Sequence, residues 1–312
     1  MEIMEAFMWC NRADSEIDLR PSVDFEIMIY HYTSPEGLLG IVADNISLRF
    51  TRNDCMNDYS EGKEIDDIYR SVCIELFAEK KIDEVFYKRI IDIKPENREV
   101  FYYKIEGGCR GGRLAYESYI CCFSQKKDAL PMWNYYVKNS RYQGYNLGLN
   151  VKEIQEQLSF DEEYIMSYHI GPVVYNNDEK KEIIKKIINE AYLAKDSGLQ
   201  CIENGIADRL MDLRMIFKNA AFEHEEEVRI IINIPKERRE DCLSKEVKIY
   251  YRNVQGLIAP YIEIKFPKGT LKEVRIGPLM EDDKAKELLE EWLCGMKYRD
   301  VDVVNSKVPI RF

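Results

Sequence analysis

Glu223-His224-Glu225-Glu226-Glu227-Val228-Arg229-Ile230-Ile231-Ile232 carries an acidic run directly into an apolar, β-branched segment. The isoleucine run reads as a core strand. Ionisable side chains rarely stand at the mouth of such a strand unless they are solvated, paired or used. In an extended chain Glu225, Glu227 and Arg229 recur with period two, which places them on one face. Two carboxylates and a guanidinium can form a structural ion pair at a solvated strand end, or they can bind a charged, polyhydroxylated ligand. The residues by themselves leave both open.

Working outward from this strand, residues 1–24 are mixed and polar and read as an N-terminal extension. Asp24 to Tyr32 reads as a strand ending in His31. Thr33-Ser34-Pro35-Glu36 is a helix start, with Ser or Thr as cap and Pro in the first turn, and Asn45 is the expected C-cap. Ile46–Thr51 alternates as a half-buried strand, and the following segment, which contains Asn57, Asp58 and Glu61, is a polar loop. About 61–106 and about 178–217 read as helical, with Gly107-Gly108 and Gly111-Gly112 punctuating the end of the first. Strands are expected at 116–124, 144–149, 228–234, 247–251, 259–265, 274–277 and 301–304, and helices at 132–137, 151–158 and 281–295. No repeat or linker divides the chain. The pattern predicts a single α+β domain over 25–312, with a split, mixed β-sheet and a helical insertion.

The bulk numbers narrow the function classes. With 45 basic and 56 acidic residues the chain carries a net charge of −11, which opposes non-specific binding to phosphate backbones, although one specific nucleic-acid site needs only a few local cations. Its 9 cysteines include no C-x-x-C pair, and its His residues, at 31, 169 and 224, have no ligand spacing, so free thiols and no metal are expected. No apolar run reaches the roughly 18 residues of a membrane span, and the N-terminus lacks a basic leader. The expectation is a cytoplasmic protein with no membrane contact.

Several short signatures recur in order: Ile29-Tyr30-His31-Tyr32-Thr33; Met56-Asn57-Asp58-x-x-Glu61; Cys122-Phe123-Ser124; Met132-Trp133-x-x-Tyr136; Gly144-x-x-Leu147-Gly148; Lys218-x-x-x-Phe222-x-x-Glu225-x-Glu227-x-Arg229; and Ile276-Gly277-Pro278. Over roughly residues 27–280 this set resembles the bacterial family known as domain of unknown function 2971. Phe222 stands where the family has Trp, and Tyr59 where it often has Pro. The layout is in turn similar to that of ADP-ribosyltransferases: a first-strand His, a mid-chain aromatic residue and a Glu on a later strand.

That second likeness implies an ADP-ribosyltransferase-like domain with NAD as substrate and no metal. His31, Tyr32 and Thr33 would grip the dinucleotide, with Asn57, Asp58 and Glu61 nearby. Trp133 or Tyr136 would stack on nicotinamide. Glu227, fixed by Arg229, would stabilise the positively charged ribose, and Glu225 would orient the acceptor or act as base. The acceptor is a macromolecule, protein or nucleic acid. The protein would act as a toxin or phage-defence effector, with an antitoxin or regulatory partner. NAD hydrolysis without transfer, and a non-catalytic nucleotide- or protein-binding module, are the rival readings. Each residue also has a bland alternative: His31 as a hydrogen-bonded strand end, Thr33 as a cap, Asn57-Asp58 as an Asx-turn, Glu61 as a helix-start charge, Trp133 and Tyr136 as core, and Glu227 as the structural mate of Arg229. The Gly107–Gly112 loop lacks the spacing of a phosphate cradle.

Overall fold

The computed structural model describes residues 28–56, 64–95, 100–104, 108–112, 116–137, 142–159, 167–195, 199–235, 248–254, 256–280 and 283–309. Along the chain run β1 (Met28–Thr33), α1 (Pro35–Ile41), β2 (Ile46–Arg52), α2 (Glu64–Ala78), α3 (Glu84–Ile90), β3 (Val100–Lys104), β4 (Gly108–Gly112), β5 (Tyr116–Ser124), α4 (Leu130–Tyr136) and β6 (Tyr145–Asn150). There follow α5 (Val151–Ser159), β7 (Ser167–Pro172), α6 (Asn177–Leu193), α7 (Leu199–Arg214), β8 (Glu227–Pro235), β9 (Ile249–Val254), β10 (Leu257–Phe266), β11 (Leu271–Ile276), α8 (Asp283–Gly295) and β12 (Asp302–Asn305). The architecture is mixed α/β, with one large open sheet and several helices. The contacts group into two compact units, one over 22–56, 117–172 and 224–312, the other containing 57–116 and 173–223.

The first unit holds the sheet. Its strand order is β12-β11-β6-β1-β5-β2-β10-β9, with β8 joined to β5 and β7 to β8. Because β11 and β12 pair parallel while β1–β6, β2–β10 and β7–β8 pair antiparallel, the sheet is mixed. β5 changes partner along its length. It meets β2 at Tyr119 and Ile120, and β1 at Ser124. Alternation sets the layers: Ile46, Leu48 and Phe50 are buried, while Arg49 between them is exposed. On β8, Val228, Ile230, Ile232 and Ile234 join Leu147, Leu149, Ile262 and Val274 in one core. Ile231, on the opposite side of β8, is buried as well, so both faces of this strand are covered.

Local chemistry fixes the ends of the elements. Ser34 caps α1 by accepting from the Gly37 N–H at 3.1 Å, with Pro35 in the first turn. Asn45 does not cap α1, which stops at Ile41 with Val42 extended. The motif glycines 144 and 277 permit a close backbone approach: Gly277 N donates to Gly144 O at 2.8 Å, and a Cβ on Gly277 would lie 2.5 Å from the Tyr142 carbonyl.

The second unit is helical, apart from one hairpin. Ile65, Tyr69, Val72 and Leu76 of α2 are buried, as are Ile184, Ile187 and Ile188 of α6. The helical reading of 61–106 is corrected at its end, where β3 pairs antiparallel with β4. Val100-Phe101-Tyr102-Tyr103 is β-branched and aromatic, and that local preference outweighs the charged helix pattern preceding it. The stretch 178–217 holds two helices, α6 and α7. β7, which pairs with β8 along its whole length, had no element assigned to it in the sequence. Residues 1–24, read as an extension, lie outside the described residues.

Candidate functional site

Three strands of the sheet unit meet where β5 ends. Tyr30 of β1 is paired with Ser124. On the β8 side, Gln125 N donates to Glu226 O at 2.9 Å, and the Ser124 hydroxyl donates to Glu225 O at 2.6 Å. Between them opens a recess lined by Tyr30, His31, Tyr32, Cys122, Phe123, Met132, Tyr136, Glu225 and Glu227. Five of the residues singled out in the sequence therefore share one cavity: His31, Tyr32, Tyr136, Glu225 and Glu227.

Glu227 opens β8, and its side chain is only 4% exposed. Both of its oxygens accept from one guanidinium, Arg229 Nε to Oε1 at 2.8 Å and a terminal nitrogen to Oε2 at 3.1 Å. A bidentate fork of this kind fixes the carboxylate plane and keeps it charged. Arg229 itself is 1% exposed and is not among the residues lining the recess; its guanidinium holds Glu227.

Glu225 reaches the cavity by a different route from the one the alternation predicts. It lies in a 3-10 turn (Ala220–Glu225), not on β8. Glu226, next in sequence, has φ +40°, a left-handed conformation unfavourable for a side-chain-bearing residue. The reversal is held by the Gln125–Glu226 backbone bond and by Lys126, whose ammonium is 2.7 Å from the Glu226 carboxylate. Two carboxylates thus face one recess because the backbone is forced to turn there, and strained backbone of this kind concentrates at functional sites.

His31 Nδ1 lies 3.1 Å from the Cys122 carbonyl and donates to it, which leaves Nε2 as the unprotonated acceptor of the neutral ring. Burial, with the charge of Arg252, holds its pKa below the ordinary histidine value despite the Cys122 carbonyl. Among the described residues the ring makes no other hydrogen bond. Its nearest ring neighbour is Phe123, 5.6 Å away. The Cys122 thiol is pushed well above its ordinary pKa by burial and by the Glu227 carboxylate, so it stays protonated and is no nucleophile.

The remaining candidates separate by burial. Tyr32 presents its ring to the cavity while its hydroxyl donates to Lys126 O at 2.8 Å and accepts from Ala129 N at 3.1 Å. Trp133 is core, not lining: it is fully buried, packs edge-on to Tyr32 at 4.8 Å, and its indole N–H donates to Asp128 at 2.9 Å. One helical turn places Tyr136 and Met132 on the cavity instead. Thr33 is buried and does not line the recess, and the cap of α1 is Ser34. Asn57, Asp58 and Glu61 lie outside the described residues. Tyr30, Cys122, Phe123 and Met132 were not assigned roles in the sequence, although each stands in one of the short signatures beside a residue that was.

Residues 132–230 match the model of a family described as "Protein of unknown function (DUF2971)". This is the family whose signatures the sequence resembles, and the matched span holds Met132, Tyr136, Glu225 and Glu227 of the cavity and Arg229, which holds Glu227. The signatures around His31 and Gly277 fall outside the match. No curated protein and no solved structure matches the chain. Among the described residues no helix is long and apolar enough to cross a membrane.

Proposed function

We propose that the recess binds the nicotinamide–ribose end of NAD and that the protein transfers ADP-ribose to a macromolecular acceptor. The observation that carries this reading is Glu227: a carboxylate on a cavity wall, oriented by the Arg229 fork and facing the same space as His31 and Tyr136. In this reading only the nicotinamide–ribose end enters the recess, and the adenylate half lies outside it.

The chemistry asks for little more. When the nicotinamide–ribose C–N bond breaks, its electron pair leaves with nicotinamide and positive charge develops on the ribose. The fixed Glu227 carboxylate stabilises that charge, and it needs no reorganisation because Arg229 already holds it. A neutral His31 adds no competing cation, and its Nε2 accepts from a ribose hydroxyl. Tyr136 stacks on the departing ring. The acceptor's nucleophile then forms a bond to the ribose carbon and gives its proton to Glu225. In a bacterial cell such an activity would act as a toxin or phage-defence effector.

Incubation of the pure protein with labelled NAD, alone and with a whole-cell lysate, tests the reading. Label fixed to a macromolecule by the wild type but not by Glu227→Gln is the expected result. Free ADP-ribose alone makes the protein an NAD hydrolase, and no turnover in either sample leaves Glu227–Arg229 a structural pair in a binding module.

A further inference from the structure

The exposed face of β2, β10 and β9 has a character that the acidic composition hides. Cross-strand register places Arg49 opposite Glu263, Thr51 opposite Tyr261, Tyr261 opposite Tyr250, and Ala259 opposite Arg252 on this face. The Arg49 and Arg252 guanidiniums both sit over the Tyr261 ring, 5.4 and 5.8 Å from its centroid. Tyr250 stacks beside Tyr261 at 5.5 Å with 26° between planes, and Lys248 Nζ lies 5.6 Å from the Tyr250 centroid. Lys265 is exposed on the same face, since Glu263 and Lys265 are two apart on β10.

Charge is unbalanced there. Among the described residues of this face, one carboxylate stands against Arg49, Arg252, Lys248 and Lys265: Glu263, held loosely 3.7 Å from Arg49. Arg252 donates to the Thr51 hydroxyl and, among the described residues, has no carboxylate partner. Two like charges crowded over one ring, and short of counter-charge, form a local positive field in a chain of net charge −11. Tyr261 is buried beneath them as a support, while Tyr250 is 38% exposed and offers an aromatic surface.

We propose that this face binds single-stranded RNA. Flanking cations that track a phosphate backbone, with an exposed ring on which a base stacks, are the requirements of sequence-tolerant single-strand recognition on a sheet. A duplex hides its base faces and cannot use Tyr250. Glu263, with lone pairs left free by its loose pairing, accepts from the ribose 2′-hydroxyl that DNA lacks. The proposal does not rest on the NAD reading, since none of these residues lines the recess, although the Arg252 charge reaches His31.

Fluorescence anisotropy of the full chain with labelled oligouridylate tests it. Saturable binding that weakens with salt is expected. Arg49→Ala with Arg252→Ala should weaken it at least tenfold and lower the salt slope by roughly 1.4, at roughly 0.7 for each lost phosphate contact. Tyr250→Ala should lose about tenfold where Tyr250→Phe keeps affinity, because stacking needs the ring and not the hydroxyl. Glu227→Gln should bind as the wild type does, which separates this site from the recess. Absence of binding, unchanged affinity in the Arg pair, equal affinity for the matching oligodeoxythymidylate, or displacement by polyglutamate at equal charge each overturns it.

Discussion

Among the described residues two cations, Lys180 and Arg229, are wholly buried, and they do different work. Lys180, in the helical unit, has its ammonium 3.0 Å from Glu64 and 2.8 Å from the Lys218 carbonyl, and the Glu64 side chain is still 29% exposed. Arg229, in the sheet unit, forks onto a Glu227 that is itself almost completely covered. Water helps to carry the charge of Glu64, whereas Glu227 depends on protein. Yet Glu227 is the one that borders an open recess. A buried ion pair closed on all sides is evidence of packing alone. One whose carboxylate also forms a cavity wall keeps an oriented carboxylate at an open recess at a cost in desolvation, which is what the NAD proposal draws on.

The largest effect should follow from breaking the tighter pair. Arg229→Met leaves a buried carboxylate without its counter-charge, and should cost about 3–5 kcal/mol in urea unfolding. Lys180→Met removes a donor from Lys218 O and strands a carboxylate that water still reaches, so about 1–3 kcal/mol is expected. If the two variants cost the same, the contrast between the units fails.

Glu227→Gln comes next and reads chemistry as well as stability. Gln preserves volume and one acceptor, but offers no negative charge to a developing ribose cation. NAD turnover should fall by about 10²–10³, which is roughly 2.7–4 kcal/mol of barrier. A lowered melting temperature with turnover retained would assign the pair to structure.

Smaller, and again paired across the units, is the loss of a helix cap. Ser34→Ala and Asn176→Ala each remove a cap acceptor, and each should cost about 1 kcal/mol. Ser34 follows the end of β1, which carries His31, so its loss should also raise the KM for NAD. Asn176, in the helical unit, should leave KM unmoved. Equal KM values in both variants would show that the cap does nothing for the site.

Much of this was legible in the sequence where one local rule acts alone. The Ser34-Pro35 start, the alternation of Ile46–Phe50 and the isoleucines of β8 each became the predicted element, because capping and periodicity need only neighbours in sequence. β7 escaped because pairing with β8, distant in sequence, decided it, and β3 because its short aromatic, β-branched run follows directly on a charged helical pattern. At the cavity, His31, Tyr136 and Glu227 could be picked out by residue type, but what surrounds them could not. Period two put Glu225 on the strand face, whereas a left-handed Glu226 delivers it from a turn. Trp133 and Tyr136 share a helix face in the sequence, and only the position of Asp128, which takes the indole N–H, decides that the smaller ring faces the recess.

His31 supplies the smallest and most specific test, because its titration belongs to the sheet unit alone. Burial holds its folded pKa below the ordinary histidine value of about 6.5. Above pH 6.5 the ring is neutral in both the folded and the unfolded chain, and the stability tied to it is fully present. As pH falls below 6.5 the unfolded chain takes up a proton that the folded ring refuses, so stability declines until pH passes the lowered folded value, at no more than about 1.4 kcal/mol per pH unit for one proton. His31→Gln keeps a group able to donate to the Cys122 carbonyl but removes the titration. The difference between wild-type and variant urea midpoints should therefore be constant above pH 6.5 and should shrink below it. NAD, binding to the neutral ring, should push the wild-type decline to still lower pH. Parallel midpoint profiles for the two proteins across that window would mean that the ring takes its proton as readily folded as unfolded, and that it is not the half-buried, neutral acceptor on which the proposed site depends.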